Sequence, residues 1–326
     1  MTRLFEARPF IIAEVGSNWR SLGHCLKSIQ AAKEAGASAV KFQLFDEVAL
    51  YGHGFTYPSY GVDAKPPFLP PAWLSHLKAH ADAQGIELMC SAFSPELVAA
   101  VDPYVSVHKV ASSDAAWPQM LDAVAKTGKP VLLSTGGKTQ EEIVSAIAEL
   151  EGATDGLYLI LLYCVAAYPT TFADLAVMED LKTFRCDVGF SDHTLGISMA
   201  VEAARQGAVV IEKHFTAFPE MESPDRGHSV GPAEFKMMCE YIRGTRKSAI
   251  GASDEEGEML SKHNRRLLVT KDVKPGDILK YGQNYGAFRS LKPDCLALPP
   301  FEWERVEGRA AKVVIPRGDG IGVGDF

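Results

Sequence analysis

The chain has no CxxC pair, no dense basic tract, no apolar run long enough to span a bilayer and no GxGxxG after its first apolar stretch. Each absence excludes something. The six cysteines, Cys25, Cys90, Cys164, Cys186, Cys239 and Cys295, are scattered without zinc-like spacing. Cys90 and Cys164 lie inside the apolar runs ELMCSAF and LILLYC, where a free thiol serves as a small hydrophobe. A formal charge of −8, from 33 Lys and Arg against 41 Asp and Glu, offers no basic surface to a phosphate backbone, so no nucleic-acid partner is expected. No segment approaches the roughly 20 apolar residues of a membrane span. The opening MTRLFEARPFIIAEVG lacks the charged-then-apolar pattern of a signal peptide. The expectation is a reduced, cytoplasmic protein with no membrane attachment.

What is present is an alternation. Short β-rich runs, FIIAEVG (10–16), SAVKFQLF (38–45), IELMCSAF (86–93), VSVHKVASS (105–113), PVLLST (130–135), LYLILLYC (157–164), DVGFSDH (187–193) and VVIEKHF (209–215), are separated by amphipathic segments, most ending at Gly. Eight β-then-α units with continuously apolar strands predict a closed parallel (β/α)8 barrel over residues 1–250. A doubly wound open sheet competes, but it wants the missing glycine fingerprint. Near residue 250 the texture changes. GASDEEGEMLSKHN reads as a linker (251–263), and RRLLVTKDV, KPGD, AKVVIPRGDG and IGVGDF suggest a small β-rich domain over 264–326. About 60 residues is near the lower limit for independent folding, so that domain should dock on something.

Barrel enzymes place their chemistry at the C-terminal ends of the strands, which permits a test. The ends offer Glu14, with Ser17 and Asn18 beyond it; Lys41 and Gln43; Ser91 and Ser94; Lys109, Ser112, Ser113 and Asp114; Ser134 and Thr135; Tyr168; Ser191, Asp192 and His193; and Glu212 with His214. Nearly every run carries a polar group late in its length. Within IEKHFT, alternation sends Glu212 and His214 to one face and Lys213 to the other. Two lysines in a barrel mouth are costly to desolvate without an anion, and serines add donors for phosphate or carboxylate. The competing reading is an ion pair of Lys41 or Lys109 with Glu14 or Asp114 that stabilises a lid. Imidazoles from adjacent strands could share one divalent cation, or each could be a strand-end histidine satisfied by a carbonyl. With two nitrogens and one carboxylate, an ion such as Mn²⁺ suits better than a closed zinc site.

In order along the chain, IIAEVGSNW, AVKFQLF, KVASSD, LLSTGG, Tyr168-Pro169, GFSDHTLG, IEKHFT and Ser223-Pro224-Asp225 closely resemble the sialic acid synthase family of bacterial nonulosonate synthases. NRRLLVTKDVKPGDILKYGQNYGAFR resembles that family's antifreeze-like (SAF) domain. The resemblance implies condensation of phosphoenolpyruvate with an N-acetylmannosamine-like amino-sugar aldehyde, giving a nonulosonic acid and phosphate. By matching position, Lys41, Ser91, Lys109, Ser112, Ser134 and Ser191 would hold phosphoenolpyruvate. His193 and His214 would bind Mn²⁺ or Mg²⁺. Glu14, Gln43, Tyr168, Glu212 and Asp225 would line the sugar site, with Glu14 or Glu212 moving protons. Arg289 would reach the partner's barrel in a domain-swapped homodimer.

The chain departs from the family pattern at Trp19, Tyr163, Ala166 and Asp114, expected to lie on the substrate face and to reshape the sugar pocket. The aromatic and Pro-rich stretch 51–71 could be a lid or a plain surface loop. The nearest rival is a synthase for another acceptor, such as a legionaminic, pseudaminic or spore-coat sugar. A metal-dependent sugar isomerase or aldolase, and a non-catalytic sugar-binding protein, are the rivals from other classes.

Overall fold

The structure, a computed structural model, describes residues 5, 9–45, 50, 68–154, 156–244, 264–290 and 297–326. The expected linker 251–263 and most of the stretch 51–71, which could be a lid or a surface loop, lie outside the described residues. The chain forms two compact units, residues 1–247 and 248–326.

The first unit is the closed parallel barrel. Its strands are β1 (Phe10–Glu14), β2 (Ala39–Leu44), β3 (Glu87–Ala92), β4 (His108–Val110), β5 (Val131–Ser134), β6 (Leu159–Tyr163), β7 (Asp187–Asp192) and β8 (Val210–His214), hydrogen-bonded in that order, with β8 returning to β1. They are shorter than the apolar runs that predict them, because run ends become the loops of the mouth. The helices between them are α1 (Leu22–Glu34), α2 (Leu74–Gln84), α3 (Pro95–Val101), α4 (Pro118–Ala125), α5 (Gln140–Ala153), α6 (Val177–Lys182), α7 (Ser198–Arg205) and α8 (Pro232–Gly244). Local chemistry sets their ends. Ser21 and Ser94 cap α1 and α3, and Thr139 with Glu142 forms a capping box on α5, each satisfying amides that a first turn leaves orphaned.

Two apolar layers follow from strand alternation. Outward residues such as Ile11, Val40, Leu88, Leu133, Leu161 and Ile211 pack under the helices. Inward residues Phe10, Ile12, Ala39, Met89, Val107, Leu132, Ile160, Leu162 and Val210 plug the barrel itself. Along the same inward rows the next residue is polar: Ile12 is followed by Glu14, Ala39 by Lys41, Met89 by Ser91, Val107 by Lys109, Leu132 by Ser134 and Val210 by Glu212. The lower barrel is therefore filled and the mouth is polar. Gly189 keeps β7 and β8 in register, since a Cβ there would come within 2.6 Å of the Val210 carbonyl.

The second unit pairs β9 (Arg265–Val269) with β10 (Tyr285–Arg289) antiparallel around Leu267, Val269, Val273, Leu279, Tyr285, Leu298, Val306, Ala311, Ile315 and Ile321. Of the segments expected as strands, AKVVIPRGDG makes only single bridges, through Ile315 and Gly320, and IGVGDF lies in none of the bridges. The proline and glycines of AKVVIPRGDG interrupt a ladder after one bond. A one-turn helix, α9 (Trp303–Val306), completes it.

Candidate active site

The mouth of the barrel holds a cavity of about 870 Å³, within the range of sites for small ligands. Glu14, Lys41, Gln43, Ser91, Lys109, Ser112, Ser134, Tyr168, Ser191, His193, Glu212, His214 and Asp225 all line it. Every barrel residue that the family resemblance assigns a role is thus brought together. Arg289 ends β10 in the second unit and is exposed.

At the floor, two ammonium groups and two carboxylates share buried space. Lys41 Nζ lies 2.7 Å from Glu14 and 3.6 Å from Glu212, and Lys109 Nζ lies 3.8 Å from Glu212. Lys41 donates to Ser91 Oγ (3.2 Å), Lys109 to the Val110 carbonyl (3.3 Å), Gln43 to Glu14 Oε1 (2.7 Å) and Ser191 to Glu212 Oε1 (2.8 Å). Each ammonium carries three N–H groups, so donors are left over. Glu212 Oε2 accepts no hydrogen bond, and Glu14 Oε2 has Lys41 close by but without hydrogen-bond geometry. The expected ion pair of Lys41 with Glu14 exists, yet it lies inside the cavity and leaves both partners incompletely bonded.

These neighbours split the two carboxylates. Burial pushes the Glu14 carboxyl up despite Lys41, helped by the negative charge of Glu212. Burial pushes Glu212 the same way, but Lys109, Lys41 and the Ser191 hydroxyl outweigh it and hold Glu212 below its ordinary value. Burial lowers Lys109, with Glu212 opposing, whereas Lys41 is raised because Glu14 and Glu212 overcome its desolvation. One acid is inclined to carry a proton and its neighbour to be ionised, the arrangement that acid–base chemistry needs.

Imidazoles gather on the β7–β8 side of the mouth, where His214 is the register neighbour of Glu14. His193 Nδ1 donates to the Val165 carbonyl (2.6 Å), while the Ser191 hydroxyl 3.4 Å from Nε2 already spends its proton on Glu212. Nε2 therefore turns a lone pair toward the cavity. Burial lowers the His193 pKa to about 4 and that of His214 well below its ordinary value, so both rings are neutral at pH 7. Their centroids are 5.8 Å apart, and the Tyr168 ring lies 4.1 Å from that of His193. Ligating atoms of His214, Asp225 and His228 lie within 4.8 Å of one another. Asp225 is held by the Ser17 amide (2.7 Å). Gly16, at φ 53°, makes room for it, since a Cβ there would sit 2.1 Å from Asp225 Oδ2.

His228 and Lys138 are polar cavity residues that sequence reasoning missed, and His228 is the one that reaches the imidazole cluster. It comes from the one-turn 3-10 helix Arg226–His228, outside every strand-end pattern; its only signal was its place three residues after Asp225. Other expectations need correction. Asp192 belongs to the outer face, where Lys213 pairs with it at 2.9 Å. Ser94 caps a helix, Thr135 donates to the Leu162 carbonyl, and Asn18 braces the Phe215 carbonyl and Ser229. Of the four departures only Ala166 lines the cavity. Trp19 is packed in the core against Trp73, with its Nε1 donating to Gly16. Tyr163 stacks on Phe190 while its hydroxyl accepts from the Asp174 amide. The carboxyl of Asp114 is likewise no part of the lining.

Five described cysteines are free thiols, and among the described residues no helix is long and apolar enough to cross a membrane.

A closed (β/α)8 barrel with cations, carboxylates and imidazoles converging at its mouth is the architecture of an enzyme acting on a small anionic substrate. Comparison narrows the class. The chain belongs to the NeuB family, which it matches over residues 28–254, and is an enzyme of that family of phosphoenolpyruvate-dependent synthases. It is 32% identical over 345 residues to a pseudaminic acid synthase of Campylobacter jejuni, covering 98% of this chain and 97% of that protein. It is 32% identical to an N,N'-diacetyllegionaminic acid synthase of the same species, covering 84% and 89%. The crystal structure of an N-acetylneuraminic acid (sialic acid) synthetase from Leptospira borgpetersenii, in complex with citrate, aligns at a TM-score of 0.70 with 27% identity over 78% of this chain and 90% of that one.

Proposed function

We propose that the enzyme condenses phosphoenolpyruvate with an N-acetylmannosamine-like amino-sugar aldehyde to give a nonulosonic acid and inorganic phosphate. The observation that carries this reading is the pair of buried lysines, both within 4 Å of Glu212 and both with unspent donors at the cavity floor. An anion there would take up N–H groups that the protein leaves open, and Ser91, Ser112, Ser134 and Ser191 line the same region.

In the reaction the methylene carbon of phosphoenolpyruvate bonds to the aldehyde carbon as the carbonyl π-bond opens onto its oxygen. Water adds to the phosphate-bearing carbon, and as the proton left on the added oxygen passes to the phosphate the carbon–oxygen bond breaks, leaving a ketone and inorganic phosphate. Lys41 and Lys109 orient the three-carbon acid and balance its charge. Gln43, Tyr168 and Asp225 position the sugar. Glu14, whose proton is held by burial, supplies it to the aldehyde oxygen as the new bond forms. Glu212, held ionised by both lysines, accepts the proton of the incoming water. Holding both reactants in one closed mouth supplies the proximity that a two-substrate condensation requires.

A divalent ion, Mn²⁺ or Mg²⁺, fits this wall, because His193 and His214 are neutral and His214 Nδ1 is buried without a partner. Those two histidines would hold it, and when bound it would polarise the aldehyde. We further place the second unit as an SAF-type domain whose Arg289 completes the partner's site in a domain-swapped homodimer.

The test is a phosphate-release assay with phosphoenolpyruvate, Mn²⁺ and a panel of acetamido and 2,4-diacetamido hexoses with their 6-phosphates. Release with at least one unphosphorylated acetamido sugar is expected. Silence across the panel from ion-loaded protein would discard the reading in favour of a sugar isomerase or aldolase.

A further inference from the structure

We propose that His228 is a ligand of the divalent ion, on which it converges with His214 and Asp225. The inference rests on the ion-dependent reading above, and it adds a side chain that neither strand-end position nor family resemblance assigns.

The first observation is a matched deficiency. His214 Nδ1 and His228 Nε2 are both buried with no hydrogen-bond partner, although buried ring nitrogens ordinarily find one. They also face the same group. His214 Nδ1 lies 4.0 Å from Asp225 Oδ2, and His228 Nε2 lies 3.8 Å from Asp225 Oδ1. Those separations are too long for hydrogen bonds. They match the roughly 3–4 Å between two atoms that each sit about 2.1 Å from one ion.

The second observation is that Asp225 is held in place to receive such an ion. Ser17 donates its amide to Oδ2 at 2.7 Å, Ser17 Oγ accepts from the Asp225 amide at 3.2 Å, and Ser229 closes the same turn onto the Asp225 carbonyl. The missing Cβ of Gly16 is what admits the carboxylate. The rings of His214 and His228 stand 4.4 Å apart at 76°, so neither stacks flat on the other. Tyr168 covers the group, 5.3 Å from His228.

The chemistry follows from the donor set. An additional neutral imidazole shifts preference from Mg²⁺, which favours oxygen ligands, toward Mn²⁺ and Co²⁺. His228 would thereby set which ion the enzyme retains.

The experiment uses the full chain, stripped with a chelator, as wild type, His228→Ala, His228→Glu and His214→Ala. Co²⁺ binding is followed by visible absorption and Mn²⁺ and Mg²⁺ by calorimetry, with metal-free melting recorded for each protein. The expected result is that His228→Ala binds Co²⁺ at least about tenfold more weakly, the lower end of what even outer-shell changes cost. His228→Glu, which restores a ligand atom but an oxygen one, should regain Mn²⁺ binding while losing the preference for Co²⁺ over Mg²⁺. Co²⁺ affinity of His228→Ala within twofold of wild type, with His214→Ala weakened, would overturn the proposal. So would equal loss of all three ions in His228→Ala and His228→Glu, the signature of a packing role. Phosphate release is assayed separately: weakened Co²⁺ binding supports the ligand assignment even if no phosphate appears, and a wild type that binds no ion defeats it even if phosphate does.

Discussion

Strands β7 and β8 carry polar side chains on both faces, and the two faces obey opposite rules. On the outer face Lys213 and Asp192 are wholly buried and bonded to each other and to Thr194, and neither Asp192 oxygen is left without a donor. Lys213 donates to Asp192 Oδ2 and to the Thr194 carbonyl, and Asp192 Oδ1 accepts from the Thr194 amide (2.8 Å) and hydroxyl (2.7 Å). On the inner face Glu212 and His214 each keep a buried atom without a hydrogen-bond partner, and Lys41 and Lys109 keep donors in hand. Both faces meet the cost of desolvated charge, but only the outer one has discharged it within the protein. A fully satisfied buried pair fixes structure. An incompletely satisfied one stores binding capacity for a ligand that arrives later.

That contrast can be broken or sharpened by four measurements. Lys213→Met should cost about 3–5 kcal/mol of stability by stranding the Asp192 carboxylate, read by chemical unfolding; a loss below about 1 kcal/mol would mean the outer pair is not structural. Lys41→Met should leave the fold standing and lower kcat for phosphate release by about 10²–10³, comparable to removing one preorganised donor from a reacting anion. Unfolding of that variant at the level of Lys213→Met would erase the distinction between faces. Phosphoenolpyruvate at 100 times its Kd should stabilise the wild type by about 2.7 kcal/mol, with a much smaller gain in Lys41→Met, measured by thermal shift.

The smallest effect concerns pH. Glu14 holds its proton above its ordinary value of 4.5 in the folded chain because burial disfavours the ionised form. The folded state therefore binds more protons than the unfolded state as pH rises above 4.5, and stability declines through that window. Glu14→Gln should remove this decline in the ligand-free enzyme, seen as a flatter melting temperature between pH 4.5 and neutrality. An unchanged slope would assign the pH response to other groups.

Much of this molecule was legible in its residues, for identifiable reasons. Continuous apolar runs bounded by glycines predict buried parallel strands, because only strands covered on both faces lack a polar side. Period-two alternation then sorted Glu212 and His214 from Lys213 correctly. The same rule, applied one residue further, would have placed Asp192 outside with Lys213; treating Ser191, Asp192 and His193 as one cluster hid that. Trp19 was misplaced because a side chain beyond a strand end can turn back into the helix–barrel layer, and no local pattern reports which way it turns; Tyr163, next to inward Leu162, lies on the outward row that alternation itself assigns. His228 was missed because it reaches the cavity from a loop, where neither periodicity applies.

By itself the sequence determined the barrel, its polar mouth and the chemical kinds gathered there, since alternation and hydrophobic burial act over a few residues at a time. Only the tertiary structure decided which polar groups are satisfied and which are left wanting, as with Asp192 against Glu212 or His228 beside Asp225. Satisfaction depends on atoms from strands far apart in the chain meeting within about 3 Å, a distance that no one-dimensional pattern encodes.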